Sequence, residues 1–308
     1  MTPSLNAAIA LLLEGVSRKE LEQRAGRISA VYRDGGTSAG ITDRADGLAY
    51  LVTRCPATYA ALRAVFVRVE EALPGFSPAS LLDVGAGPGT AAWAVRDAWP
   101  ALGAMTLIEP NRIFRDLAAH LLPEAQIIAG DLGTPRPRAD LVTASYVLAE
   151  LPEKAASRAA KDLWDAAAQM LVLVEPGTPA GFARIRAART ALIEAGGHVV
   201  APCTHDNACP ISGNDWCHFS ERLQRSRDHM IAKGAHVPFE DERYAYVAVS
   251  RVPVERRAMA RIIKPVVEAK PGITLPLCGA TGLRDKFIAR RDKEAFRAAR
   301  RKEWGDLI

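Results

Sequence analysis

The sequence predicts an α/β protein: a largely parallel sheet with helices on both faces. Three observations predict it. An apolar strand runs directly into a glycine loop, Leu81-Leu82-Asp83-Val84-Gly85-Ala86-Gly87-Pro88-Gly89-Thr90. From Ser80 to Ala195, strand-like and helix-like periodicities alternate, the pattern of a parallel sheet with crossover helices. Met170 to Glu175 is almost continuously apolar, as a strand buried on both faces must be.

The elements follow in order. Apolar residues at helical spacing predict helices over Leu5–Glu14, Arg18–Tyr32 and Ala57–Leu73. Gly35 to Gly40 reads as a loop, and Pro74 to Pro78 punctuates the chain before the glycine motif. Strands are predicted at Ser80–Val84, Met105–Glu109, Gln126–Ala129, Asp140–Val147 and Met170–Glu175. Helices are predicted between and after them at Thr90–Trp99, Arg112–Leu122, Glu153–Gln169 and Phe182–Ala195. Tyr244–Ser250 reads as a late strand of the same sheet. Periodicity fails between Gly196 and Val237, where cysteines, histidines and turn formers gather, and a basic helix is expected from Leu283 to Trp304. The expected organisation is a helical N-terminal region (1–76), a Rossmann-like core (77–195), and a last part (196–308) with the cysteine insert, late strands and basic helix.

The chain has 308 residues, 49% of them hydrophobic, enough for one large or two ordinary domains. No apolar run approaches the ~18 residues of a membrane helix. The short run Ala7–Leu13 follows no basic residue and reads as an amphipathic helix rather than a secretion signal. A cytoplasmic monomer with no membrane contact is expected. Five cysteines, an odd number, argue against a disulfide framework.

Glycines at 85, 87 and 89 let backbone approach a ligand, and the following helix start offers unpaired N–H groups. A dinucleotide fingerprint would want Gly or Ala where Thr90 stands. Glu109 closes the second strand, where an acid can accept hydrogen bonds from ribose hydroxyls, and Asp131 follows the third. These residues resemble the motifs of class I methyltransferases, which use S-adenosylmethionine (SAM). By that resemblance the loop cradles the methionine part of SAM, the acid ending strand two holds the ribose, and the acid after strand three lies near the adenine. Asp83, Gly85, Ala86, Gly87, Gly89, Glu109 and Asp131 would take these parts. After strand four the chain reads Ser145-Tyr146-Val147-Leu148-Ala149-Glu150-Leu151-Pro152, without the Asn/Asp-Pro-Pro-aromatic motif of amino-directed enzymes. No catalytic residue is assigned.

Cys203, Cys209 and Cys217 fall within fifteen residues, spaced C-x5-C-x7-C, each beside Pro or His. Thiolates on one loop can converge on a soft metal without regular structure. Spacing alone leaves the metal open: the C-x2–4-C pairs common for zinc are absent, and a [4Fe–4S] cluster needs a fourth ligand. Cys278, in a glycine-rich setting, is a candidate; His205 or His218 would serve instead in a zinc site. Cys55 starts a helix and is set aside.

From about residue 30 to the end, the chain resembles the mitochondrial small-ribosomal-subunit methyltransferase-like proteins and their bacterial relatives. The residues that carry this are Arg54-Cys55-Pro56-Ala57-Thr58-Tyr59, the SAM loop, the Pro202-to-Phe219 segment, Cys278 and Trp304-Gly305-Asp306. The resemblance implies small-subunit assembly and translation as the process, ribosomal RNA or the small subunit as partner, and a [4Fe–4S] cluster on Cys203, Cys209, Cys217 and Cys278, with zinc as the alternative. The fold it implies is a class I methyltransferase Rossmann-like sheet with a helical N-terminal region and a cysteine-rich metal-binding insert. Two other functions are open: a non-catalytic RNA-binding assembly factor, and a small-molecule SAM methyltransferase with a zinc site.

Between Leu283 and Trp304, nine basic residues face four acids, an excess equal to the chain's formal +5. Arg251 to Lys264 forms a second basic stretch, and Arg222, Arg225 and Arg227 follow the third cysteine. Such clusters suit phosphate contacts, which give affinity without base specificity.

Overall fold

The computed structural model describes residues 1–33, 37–152 and 155–308. The predicted loop at Gly35-Gly36 and the predicted helix start at Glu153 lie outside the described residues.

The sheet begins with β1 (Ser80–Val84), flanked in parallel by β2 (Ala104–Glu109) and β4 (Ala139–Ser145). The strand β3 (Gln126–Ala129) extends it beyond β2, and β5 (Ala167–Pro176) beyond β4. Next comes the long antiparallel β8 (Phe239–Ser250), which also pairs with β6 (His198–Ala201) and β7 (Phe219–Gln224). The path is β3-β2-β1-β4-β5-β8-β6, with β7 beside β8. The sheet is therefore mixed, parallel through β5 and antiparallel at β8. The reversal of strand order between β1 and β4 opens a crevice at their carboxyl ends, where ligands of such folds bind.

Helices cover both faces. On one side α4 (Cys55–Ala72), α5 (Thr90–Ala98) and α6 (Arg112–Leu121) bury Leu62, Phe66, Trp93, Val95 and Phe114. On the other, α7 (Ala156–Ala166) and α8 (Pro179–Glu194) bury Leu163, Trp164, Phe182 and Leu192. The expected helix to Gln169 is shorter, because Ala167 is already paired with Ala139 in the sheet. The N-terminal α1 (Pro3–Leu12), α2 (Arg18–Arg33) and α3 (Arg44–Thr53) share the α4-side core through Leu5, Leu21 and Leu51. The helix α3 was not predicted; Asp43 caps it by accepting from Asp46 N at 2.9 Å.

The aperiodic stretch 196–237 contains β6, β7 and α9 (Arg227–Ala232) between its turns. A second sheet, absent from the prediction, holds β10 (Val267–Ala269), β11 (Gly272–Gly279) and β12 (Gly282–Ala289), with β9 (Ala260–Ile262) also on β11. The predicted basic helix is corrected here: its first half is strand β12, and only α10 (Lys293–Ala299) is helical. A turn at Gly279–Gly282 folds β12 onto β11, whose Ile273, Leu275 and Leu277 alternate into a small core. The tail then returns to β9: Gly305 N donates to Ile262 O at 2.9 Å and Ile262 N to Asp306 O at 2.9 Å.

Candidate functional site

The glycine loop and the strand-end acids come together at the crevice. Gly85, Gly87 and Gly89 have φ of +72°, +55° and +85°, a region that side chains disfavour. Gly85 also packs against Val147, whose methyl would lie 2.3 Å from an added Cβ, whereas nothing lies within 4 Å of one at Gly87. The open side at Gly87 is where a ligand can approach. Gly85 N and Ala86 N both donate to Ile108 O, at 2.8 and 3.1 Å, tying the loop to β2. Gly87 N donates to Glu109 Oε2 and Asn111 N to Glu109 Oε1, each at 2.8 Å. Burial pushes the Glu109 carboxyl above its usual range, against these two bonds. Glu109 thus shapes the loop and keeps lone pairs for a ligand's hydroxyls.

Asp83 lies beneath the loop with no solvent exposure. Its Oδ1 accepts from Thr143 Oγ1 at 2.8 Å, while Oδ2 is buried without a partner. Burial pushes its carboxyl up to about 7. Asp131 is exposed in a turn after β3, accepting from Gly133 N at 2.8 Å. Ala129 pairs with Glu109, so Asp131 is at the neighbouring strand end.

Across the crevice, Tyr146 directly follows β4 with φ +62°, strained for a non-glycine residue. Its N–H donates to Val174 O at 2.7 Å and its hydroxyl to Glu242 Oε1 at 2.9 Å. Arg54 stands 4.0 Å from the same oxygen. Burial, with Glu242 beside it, holds the Tyr146 hydroxyl protonated. Nearby Glu175, fully buried, accepts from Leu148 N at 2.8 Å, and burial pushes it up to about 8. Glu242 is not marked in the sequence, because nothing local in β8 signals its reach across the sheet to Tyr146.

The cysteines form a second centre. Cys203 after β6, Cys209 and Cys217 in the loop, and Cys278 at the end of β11 all line one cavity between α8 and the second sheet. It encloses about 40 Å³, some three times the ~10–15 Å³ one water needs. Burial pushes the thiols of Cys203 and Cys217 up and Cys278 to about 12; the other thiols add to the shift at each. Cys55 is apart, buried in the α4-side core. Neither His205 nor His218 lines the cavity. His218 stacks on Trp216, centroids 5.4 Å apart, and meets the edge of Trp304 at 4.9 Å. Trp216 Nε1 donates to Gly177 O at 3.0 Å, anchoring the loop to the main sheet. Among the described residues, no three His, Cys, Asp or Glu side chains are grouped so as to hold a metal ion.

Much of the predicted basic surface is engaged internally. Arg222 pairs with Asp241 at 2.7 Å, Arg225 with Glu240 at 3.1 Å, and Arg257 with Asp206 at 2.7 Å. Arg251 donates to the Trp164 and Ala167 carbonyls, and Arg261 is buried. Arg284, Lys286, Arg291, Lys293 and Arg297 are exposed on β12, the turn after it and α10.

The strand order, the glycine loop after β1 and the acid closing β2 define a Rossmann-like protein of the class I methyltransferase fold. A family model described as mitochondrial small ribosomal subunit Rsm22 matches residues 44–308, and the chain belongs to that family. It is 28% identical over 291 residues to the human mitochondrial ribosome assembly protein METTL17, covering 85% of this chain and 62% of that one. To the Rsm22-cox11 tandem protein 2 of Schizosaccharomyces pombe it is 28% identical over 341 residues, covering 91% of this chain and 45% of that one. The chain thus spans less than two thirds of these curated relatives. Among solved structures, magnesium protoporphyrin IX methyltransferase from Synechocystis with bound SAM aligns with TM-score 0.43 and 14% identity, covering 72% of this chain and 89% of that one. The plantazolicin methyltransferase BpumL with S-adenosylhomocysteine aligns with TM-score 0.44 and 12% identity, covering 79% and 100%. No described helix is long and apolar enough to cross a membrane.

Proposed function

We propose that this chain binds SAM in the crevice at the carboxyl ends of β1, β2 and β4 and acts on ribosomal RNA or the assembling small ribosomal subunit. The observation that carries the first part is the hydrogen bond from Gly87 N to Glu109 Oε2: the loop and the acid form one unit around an open position. Family membership and the name of the human relative support the second part. Bound SAM supplies an electrophilic methyl group. Glu109 would hold the ribose hydroxyls, Gly85 to Gly89 would pass backbone along the methionine part, and Asp131 would face the adenine. The unpaired Oδ2 of Asp83 suits a cationic donor at the base of the loop. Binding measured calorimetrically tests this: Glu109→Ala should weaken SAM at least tenfold, and equal affinity would refute the assignment.

The second reading, a non-catalytic assembly factor that binds RNA, draws on Tyr146. Where an acceptor-directed group would stand, its hydroxyl is committed to Glu242. Transfer of labelled methyl from SAM to small-subunit RNA supports the enzyme; tight RNA binding without transfer, on immature subunits too, supports the factor. RNA contact would use the exposed cations of β12 and α10, and the site of action would be wherever that subunit is assembled.

The four-thiol cavity suits a thiolate-held metal group, a [4Fe–4S] cluster with zinc as the alternative, since sets of four thiolates hold either. Four cysteines line it and neither histidine does. Protein purified without oxygen should be brown, with iron and sulfide; colourless protein with stoichiometric zinc would overturn the cluster.

A further inference from the structure

The cavity wall holds more than cysteines. Arg186, Arg189, Arg261 and Tyr246 line it, and among the described residues no carboxylate does. Arg189 and Arg261 are only 4% and 2% exposed. Their hydrogen bonds go to main-chain carbonyls: Arg189 Nη2 to His205 O at 2.8 Å and Asn207 O at 2.9 Å, Arg261 to Pro202 O and Gly305 O at 2.5 Å each. Two guanidiniums buried without counter-ions are costly unless a negative group joins them. The Tyr246 hydroxyl is buried and unbonded, and Arg189 Nε has no oxygen partner, its side chain lying against the Cys203 thiol; Tyr246 is 3% exposed. Orphaned buried donors are rare in folded proteins. Neutral thiols are weak acceptors, whereas thiolate and sulfide sulfurs carry the charge that N–H and O–H groups seek. Four thiolates around a zinc ion, or around an oxidised [4Fe–4S] core, make a dianion, which two buried guanidiniums neutralise.

We propose that Arg189 and Tyr246 are positioning residues for the thiolate-held group: Arg189 Nε and Tyr246 Oη donate hydrogen bonds to its sulfur atoms, and Arg261 supplies the second positive charge. This rests on the metal reading above. Arg189 has two tasks, since the carbonyls it holds lie between Cys203 and Cys209; it sets the shape of the loop along with the local charge. Burial pushes the Tyr246 hydroxyl up to about 12, so it stays a donor at neutral pH. Hydrogen bonds to sulfur are a main lever on how firmly such a group is held and on its potential.

The test uses the full chain purified without oxygen, as wild type, Tyr246→Phe and Arg189→Lys. Tyr246→Phe removes a hydroxyl that bonds nothing else, so the metal-free variant should melt at or above the metal-free wild type. The loaded variant should release its metal to excess chelator at least tenfold faster, and if the metal is iron its midpoint potential should move negative. Arg189→Lys keeps the charge but loses both Nε and the bonds to the His205 and Asn207 carbonyls, so it should release metal at least as fast as Tyr246→Phe. Equal metal content with equal release rates in wild type and Tyr246→Phe overturns the proposal and leaves the metal reading standing. Wild type without metal or sulfide overturns the metal reading and this proposal with it.

Discussion

Asp83 and Glu175 are carboxyls locked inside the sheet, and their protons report on folding. Burial holds Asp83 up to about 7 and Glu175 up to about 8, against ordinary values of 3.8 and 4.5. Between those limits the folded chain keeps protons that the unfolded chain has released. Stability is therefore full below the ordinary values and falls as pH rises, by about 1.4 kcal/mol per pH unit for one such group. Urea unfolding at pH 5 to 8 should show the decline, and Asp83→Asn should flatten it up to about pH 7; an unchanged slope would mean that Asp83 is ionised in the fold. At Asp46 the sign is opposite. This fully buried acid bonds Arg24 at 2.7 Å and also Arg27, and hydrogen bonds from these arginines outweigh burial to hold it ionised. Its contribution is present above the ordinary carboxylate range and is lost as pH falls below it. Asp46→Asn should cost about 1–3 kcal/mol at pH 7, read as a drop in chemical-denaturation stability. Asp83, Glu109 and the cluster of Cys203, Cys209 and Cys217 stand out in the sequence because each belongs to a short motif, whereas Cys278, far along the chain, joins them only through the family resemblance. Arg189, Arg261 and Tyr246 do not stand out: an arginine on a helix and a tyrosine in a strand read as surface and core until the fold brings them to one cavity.

At the scale of elements, the glycine loop allows a sharp comparison. Gly85→Ala would drive its methyl into Val147 and should disrupt the loop and the start of the β4 turn together. Gly87→Ala meets open space, so its cost should be only the left-handed strain, about 1–2 kcal/mol. If a ligand uses that space, Gly87→Ala should abolish SAM binding while the protein still unfolds cooperatively. Retained binding would place SAM elsewhere. The core strands β1 to β5 were legible because each follows or precedes a helical repeat and is apolar on both faces. The second sheet was not, because the charged residues of β12, Arg284 to Lys286, imitate a solvated helix. Its strand character comes from pairing with β11, which no local window reveals.

At the scale of the molecule, the chain's last residues close the structure. Asp306 bonds Arg68 of α4 at 3.3 Å, Ile308 N donates to Ala260 O at 2.9 Å, and the Gly305 carbonyl holds Arg261. Removing 305–308 should therefore loosen β9 and the thiol cavity while leaving β1 to β5 folded. Hydrogen exchange should show the loss at β9 and β11; uniform protection would contradict it. Strands β6, β7 and β8, all beyond residue 195, complete the first sheet.

Along β8, Glu242, Tyr244 and Tyr246 point to one face by the alternation of a strand. The first reaches Tyr146 at the crevice, and the last lines the cysteine cavity. Two centres are thus hung on a single ruler, four residues apart. A one-residue insertion or deletion within that span would turn one of them to the opposite side of the sheet while the other stayed in place. Substitutions on β8 leave that spacing intact, whereas a change of its length between the two centres should cost one of them. In lineages that keep only one centre, the spacing should be free to drift.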